Sequence, residues 1–160
     1  MPTTISLADA LFAGAKEVFE TMIFMSLEQC SDAGATIADD GLLGTITFKG
    51  GLEGCVGICC STACAKSIAA NMLGMEPGVE ASEPEIYDAI GEVANMVMGS
   101  FKARIIESVG DVQVSIPSVI RGNGLNAVML DGQERVCVPV MLDEHVAVLS
   151  LLSKRKRPGQ

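Results

Sequence analysis

The stretch Ser82-Glu-Pro-Glu-Ile-Tyr-Asp-Ala-Ile-Gly-Glu-Val-Ala-Asn-Met-Val-Met-Gly-Ser-Phe-Lys-Ala-Arg-Ile-Ile-Glu-Ser108 divides the chain into two kinds of sequence. Its opening, Ser82-Glu83-Pro84-Glu85, is a capping box with an early proline: the serine accepts from the third amide, the glutamate returns the bond, and proline loses no hydrogen bond in a first turn. At 100° per residue, Ile86, Ile90, Val93, Val97 and Phe101 fall on one stripe, the buried face of a helix that runs to about Ser108 before Gly110. Everything after it reads as β. Val112–Ile116, Val119–Arg121, Leu125–Leu130, Arg135–Leu142 and His145–Leu152 are short β-rich runs, separated by turn signals at Gly122-Asn123-Gly124, Asp131-Gly132 and Asp143-Glu144.

Upstream, Leu7, Leu11, Ala15, Val18, Met22 and Met25 recur at helical spacing, which predicts a helix from about Leu7 to Cys30 with Ser6 as its N-cap. The period then changes. Leu42–Lys49 and Leu52–Cys60 read as strands joined by a two-residue Gly50-Gly51 hairpin turn. A shorter helix is expected from about Thr62 to Leu73, capped by Ser61 or Thr62 and closed by Gly74. Helices grouped with hairpin-connected strands indicate an α+β domain: an antiparallel sheet packed with two long helices and one shorter one.

With 160 residues, 49% of them hydrophobic, the chain has material for one core, and a single domain over 1–153 is expected. The basic run Lys154-Arg155-Lys156-Arg157 beside Pro158 and Gly159 reads as a solvated, disordered tail over 154–160. A formal charge of −9 argues against nucleic acid or an anionic membrane surface as partner, since both demand clustered positive charge. Charged and polar residues interrupt every apolar stretch well before the roughly 18 residues a membrane-spanning helix needs. The N-terminal Met1-Pro-Thr-Thr-Ile lacks the basic-then-apolar pattern of a secretion signal, so a cytoplasmic location is expected.

Six cysteines, at 30, 55, 59, 60, 64 and 137, raise a metal or redox-sensor reading. The spacing speaks against it. There is no C-x2-C pair, His145 is the only histidine, and strand alternation puts Cys55 and Cys59 on one face and Cys60 on the other. Reduced thiols packed as small hydrophobes are expected, with no metal.

On the helix of 82–108, Asp88, Glu92, Asn95, Gly99 and Lys102 lie opposite the apolar stripe. By default such a stripe is an ordinary solvated face. Two details point further. Gly91 and Gly99 border or join it in mid-helix, where each costs roughly 1 kcal/mol relative to alanine, and glycine lets another molecule approach the backbone. Asn95, a mediocre helix former, gains nothing from an exposed mid-helix position. Glu92 and Asn95, three apart, project side by side and offer a carboxylate acceptor with an amide that both donates and accepts. That pair suits two tasks, pairing with a partner's lysine and orienting a water for attack on a phosphoryl group, as a glutamine does in GTPases. The amide is no strong base, so its contribution is position. The sequence has no phosphate-binding G-x4-GK-[ST] loop, no G-x-S-x-G elbow and no Cys-x5-Arg arrangement.

The ordered set Asp88, Glu92, Asn95 and Pro117 resembles the signature of the chemotaxis phosphatases of the CheC, CheX and FliY group, and CheX most closely. The likeness continues through Gly99-Ser-Phe-Lys102 and Val114-Ser-Ile-Pro117-Ser-Val-Ile. It also takes in the segment from Gly50 to Ser61, Asn71-Met-Leu-Gly74, and Val18-Phe-Glu-Thr-Met22 in the first helix. The resemblance implies hydrolysis of the aspartyl phosphate on CheY or a CheY-like receiver domain. It gives Glu92 the receiver's active-site lysine as partner and Asn95 the attacking water to position, with Asp88, Gly91, Gly99 and Lys102 supporting the site. Magnesium belongs to the receiver, and the phosphatase has no cofactor of its own. Longer relatives carry a second motif on the first helix, where this chain has Glu17-Val-Phe-Glu20 with no matching asparagine, so one site per chain is implied. A homodimer is implied as well. The rival reading is a non-catalytic docking or assembly module of the same fold in a chemotaxis or flagellar switch complex; the presence of both Glu92 and Asn95 favours catalysis.

Overall fold

In the computed structural model, which describes residues 6–30, 40–76, 78–125 and 132–155, Ser6 accepts from the Asp9 amide at 3.2 Å and starts helix α1, Leu7–Val18. Helix α1 is shorter than its periodicity suggests. The chain passes through a π-helical turn, Phe19–Ile23, and leaves it at Phe24, whose φ is +63°. The Met25 amide reaches back to the Phe19 carbonyl at 2.9 Å, and the Asn71 side chain donates to the Ile23 carbonyl at 3.2 Å. Helical period continues through Met22 and Met25, but strand pairing overrides it: β1, Leu27–Gln29, joins the sheet beside Leu142, Met141 and Val140.

Strands β2, Gly41–Gly50, and β3, Leu52–Ser61, form the expected hairpin. Its turn differs from the two-residue type, because Phe48 opposes Gly54, which places Gly51 at the apex. Packing gives the reason. A Cβ on Gly51 would run into the Val109 carbonyl oxygen, so the tip is pressed against the end of the longest described helix.

Helix α2, Thr62–Leu73, starts on the Ser61 hydroxyl and ends at Gly74 with φ +62°, as its sequence predicts. Helix α3, Glu83–Val109, has the full capping box, with Ser82 and Glu85 exchanging bonds at 2.9 and 3.3 Å. Its 27 residues span about 40 Å. Then come β4, Val112–Val114; β5, Ser118–Gly122; β6, Glu134–Leu142; and β7, His145–Arg155. The expected strand at 125–130 falls almost wholly outside the described residues. β7 carries two residues assigned above to the tail, Lys154 and Arg155, opposite Glu53 and Leu52.

The described strands form one antiparallel sheet in the order β1-β6-β7-β3-β2-β4, with β5 pairing on β2 alongside β4. Alternation sends Leu42, Ile46, Phe48, Val56, Ile58, Cys60, Leu149 and Leu151 to one face, and all three helices cover it. Cys59 and Cys55 point to the other face, as alternation requires, and Cys60 joins the core. The described cysteines are free, and burial raises the Cys55 and Cys59 thiols above their ordinary range. No described helix is long and apolar enough to cross a membrane.

The hairpin tip supplies a direct check on this packing. Gly51→Ala drives a methyl into a backbone carbonyl, and overpacking of this kind costs about 1–3 kcal/mol. In urea titrations the midpoint should fall with little change in slope; a wild-type midpoint would mean that α3 does not press on the tip.

Candidate functional site

Helix α3 turns its apolar stripe inward as expected: Ile90, Val93, Val97 and Phe101 are buried, joined by Ala94, Met98 and Ile105. Phe101 meets Phe48 of β2 edge-on, with ring centroids 6.0 Å apart at 65°. The opposite stripe is thereby fixed. Asp88, Glu92, Asn95 and Gly99 are all exposed, and Lys102 is half-buried.

Asp88 and Glu92 stand four residues apart, a spacing at which like charges destabilise a helix by about 0.2–0.5 kcal/mol. No described cation relieves them, and neither carboxylate nor the Asn95 amide has a bond to a described side chain. Lys102 is held instead by Asp111 at 3.0 Å, two turns beyond Asn95. Arg121 is held by Asp40 at 2.6 Å and by Glu83 at 3.3 Å. In and just after α1, two carboxylates are paired: Glu17 binds Arg104 at 3.0 Å, and Glu20 of the π-helical turn binds Lys16 at 2.9 Å while accepting from the Leu27 amide. The contrast is between these paired carboxylates and Asp88 and Glu92 in the middle of α3.

The two glycines differ. Around Gly99 an added Cβ would meet nothing within 4 Å, so the helix surface one turn past Asn95 is clear. Gly91 is buried, and a Cβ there would touch Pro117 and Val119 at 3.6 Å. The reading of Gly91 as an approach point for another molecule is therefore corrected. The chain's own connection between β4 and β5 occupies that place, so Gly91 seats Pro117 next to Glu92. Together Tyr87, Asp88, Gly91, Glu92, Pro117 and Val119 line a cavity of about 460 Å³.

Sequence reasoning missed Tyr87, although its i, i+4 relation to Gly91 puts it on this wall. Its hydroxyl donates to Glu83 at 3.3 Å, and desolvation followed by the Glu83 charge raises its pKa, keeping the phenol protonated. A larger cleft of about 800 Å³ lies on the helix-free face of the sheet. There Thr47 and Ser115 bond to each other, and the charged residues on its wall are Lys49 and Glu53. Among the described residues, no three of His, Cys, Asp and Glu come together as metal ligands.

This architecture recurs among solved chemotaxis proteins. The CheX protein of Vibrio vulnificus is 24% identical, aligned over 96% of this chain and 100% of that one with a TM-score of 0.79. A CheC-like superfamily protein from Shewanella is 20% identical over 95% and 99%, with a TM-score of 0.78. CheX of Borrelia burgdorferi, solved as a CheX-CheY-BeF3-Mg complex, is 16% identical over 94% and 99%, with a TM-score of 0.71. The fold is thus that of the CheC and CheX chemotaxis proteins. The family model for chemotaxis phosphatase CheX matches residues 42–141, which include all of α3, and the chain belongs to that family. No curated protein sequence matches it.

The ion pairs at the two ends of α3 respond to pH in a definite direction. Arg121 and Thr62 hold the Asp40 carboxyl below its ordinary range, and Lys102 does the same for Asp111. A carboxyl lowered in the folded state adds stability above its unfolded pKa and loses it as pH falls through the folded value. Unfolding midpoints should therefore be insensitive to these groups near neutrality and decline in acid. Asp40→Asn should flatten part of that acid limb, and an unchanged limb would show that Asp40 adds nothing.

Proposed function

We propose that this protein hydrolyses the aspartyl phosphate of a response-regulator receiver domain, CheY or a CheY-like protein, through Glu92 and Asn95. One observation carries the reading: in a member of the CheX family, a carboxylate and an amide stand one helical turn apart, exposed and without partners among the described residues, in a stripe that is electrostatically unfavourable by itself. Burying such groups against a partner that satisfies them recovers that cost.

In this reading α3 lies across the mouth of the receiver's phosphorylation site. Glu92 accepts a charge-assisted bond from the receiver's lysine, which sets register. The Asn95 amide enters the site and holds a water in line with the phosphorus–oxygen bond to the aspartate. Water attacks phosphorus, the bond to the carboxyl oxygen breaks, and aspartate and inorganic phosphate are released. The amide takes no proton; its work is orientation. Magnesium, bound by the receiver, neutralises the phosphoryl oxygens. Asp88 adds negative potential behind Glu92, Gly99 leaves room for the partner's surface, Gly91 seats Pro117, and Lys102 with Asp111 closes the far end of the stripe. The reaction takes place in the cytoplasm, where the receivers act.

The decisive experiment follows loss of phosphate from phosphorylated receivers. Wild type should accelerate it. Asn95→Ala should lower turnover by about 10²-fold or more, as for loss of a preorganised polar group. Glu92→Ala should raise KM about tenfold through a lost charge-assisted bond. Full activity of Asn95→Ala would overturn the mechanism. An inactive wild type that still binds receivers would favour the non-catalytic docking module.

The chain is further proposed to act as a homodimer. In support, the helix-free face of the sheet exposes the apolar side chains of Ile120 and Val146. Light scattering at micromolar concentration should give twice the chain mass of 16.7 kDa; a monomer mass would reject the dimer.

A further inference from the structure

Ile116 is 87% exposed, more than any other described large hydrophobic residue. It sits in Ser115–Pro117, the connection between β4 and β5, and that connection is fastened on both sides. The Ser115 amide donates to the Thr47 carbonyl at 2.9 Å, and its hydroxyl accepts from the Thr47 amide at 3.0 Å. The same hydroxyl lies 2.8 Å from the Thr47 hydroxyl and donates to the Ile116 carbonyl at 3.1 Å. On the other side Pro117 packs over Gly91 of α3. An isoleucine in a loose loop would fold back onto apolar surface. Here the backbone is fixed, and the side chain is held out in water one residue before Pro117, which with Glu92 and Asp88 lines the cavity on α3.

We infer that Ile116 is an apolar docking residue for the same phosphorylated receiver that Glu92 and Asn95 engage, one that sets affinity and receiver choice and takes no part in the chemistry. The inference rests on the proposed function. A partner seated on Glu92 meets Pro117 on the wall next to it, and the residue joined to Pro117 in the same fastened connection is Ile116. Asp88, Glu92 and Asn95 offer only polar and negative groups, which supply register and little burial, whereas a preordered isoleucine adds dehydrated area with little ordering cost. The receiver should therefore present an apolar patch adjoining its phosphorylated aspartate.

The test measures binding and turnover separately. Receivers carrying beryllofluoride and Mg2+ are titrated with wild type, Ile116→Ala, Ile116→Asp and Ile116→Leu. Phe24→Asp serves as control, an equal charge change at another exposed apolar residue, 76% exposed. Ile116→Asp should weaken binding at least about tenfold, Ile116→Ala less, and Ile116→Leu and Phe24→Asp little. With the phosphorylated receiver, KM should follow the same order while kcat stays within about twofold. Circular dichroism melts confirm folding, which an exposed site should preserve. If wild type binds and Ile116→Asp binds equally well, the docking role is wrong and the phosphatase reading stands. If Phe24→Asp weakens binding as much, the effect is one of charge and the inference also fails. If wild type binds no receiver, both fall together.

Discussion

The site depends on how α3 is seated on the sheet. A helix places successive side chains 100° apart, so a rotation of one residue would carry Glu92 from solvent to the rim of the core. Two contacts prevent that rotation. Phe101 packs edge-on against Phe48 near the C-terminal half of α3. Near the N-terminal half, Ile90 lies so close to Gly44 that any Cβ at 44 would come within 2.8 Å of it. The two contacts lie eleven residues apart, about three turns, and Glu92 and Asn95 lie between them. The polar stripe is thus aimed by apolar packing on the reverse side of the same helix.

The ends of α3 are held by different physics. At the N-terminus the capping box satisfies free amides, and Arg121 ties Glu83 to Asp40, which joins the helix to β5 and to the start of β2. At the C-terminus the helix presses on the hairpin apex at Gly51, and Lys102 reaches Asp111 just before β4. These pairs are exposed, so each adds little stability and weakens in salt. Their value is positional. They fasten β4 and β5 relative to the helix, and that fixes the connection that carries Ile116 and sets Pro117 on the wall with Glu92.

Much of this was legible in the sequence because it is local. Ser82 and Glu85 announce a cap, Ser61 and Gly74 bound α2, and alternation alone assigns Cys59 and Cys60 to opposite faces. Local signals failed where distant pairing decided. Met22 and Met25 keep helical period, yet residues 27–29 pair with β6, more than a hundred residues later, and the helix ends at Val18. Gly50-Gly51 resembles a two-residue turn, but the turn takes its form from the end of α3. The candidate site follows the same division. Its polar stripe could be read from periodicity, and Pro117 came into view only through family resemblance. Its packing over Gly91 joins residues 26 positions apart with no pattern to announce the contact.

The distribution of ion pairs separates structure from function within one fold. With eleven basic and twenty acidic residues, cations are scarce, and the first helical segment shows where they go: Lys16 pairs with Glu20, and Arg104 of α3 with Glu17. A stripe shaped by stability alone would exchange Asp88 or Glu92 for lysine, gaining an i, i+4 pair in place of a repulsion. It would also replace Asn95 and Gly99 with better helix formers. These three departures from the stable choice run in the same direction, toward exposed acceptors, an adaptable amide and a bare backbone. One such departure has many explanations. Three on a single aimed face favour the proposal that its missing contacts are completed by another protein.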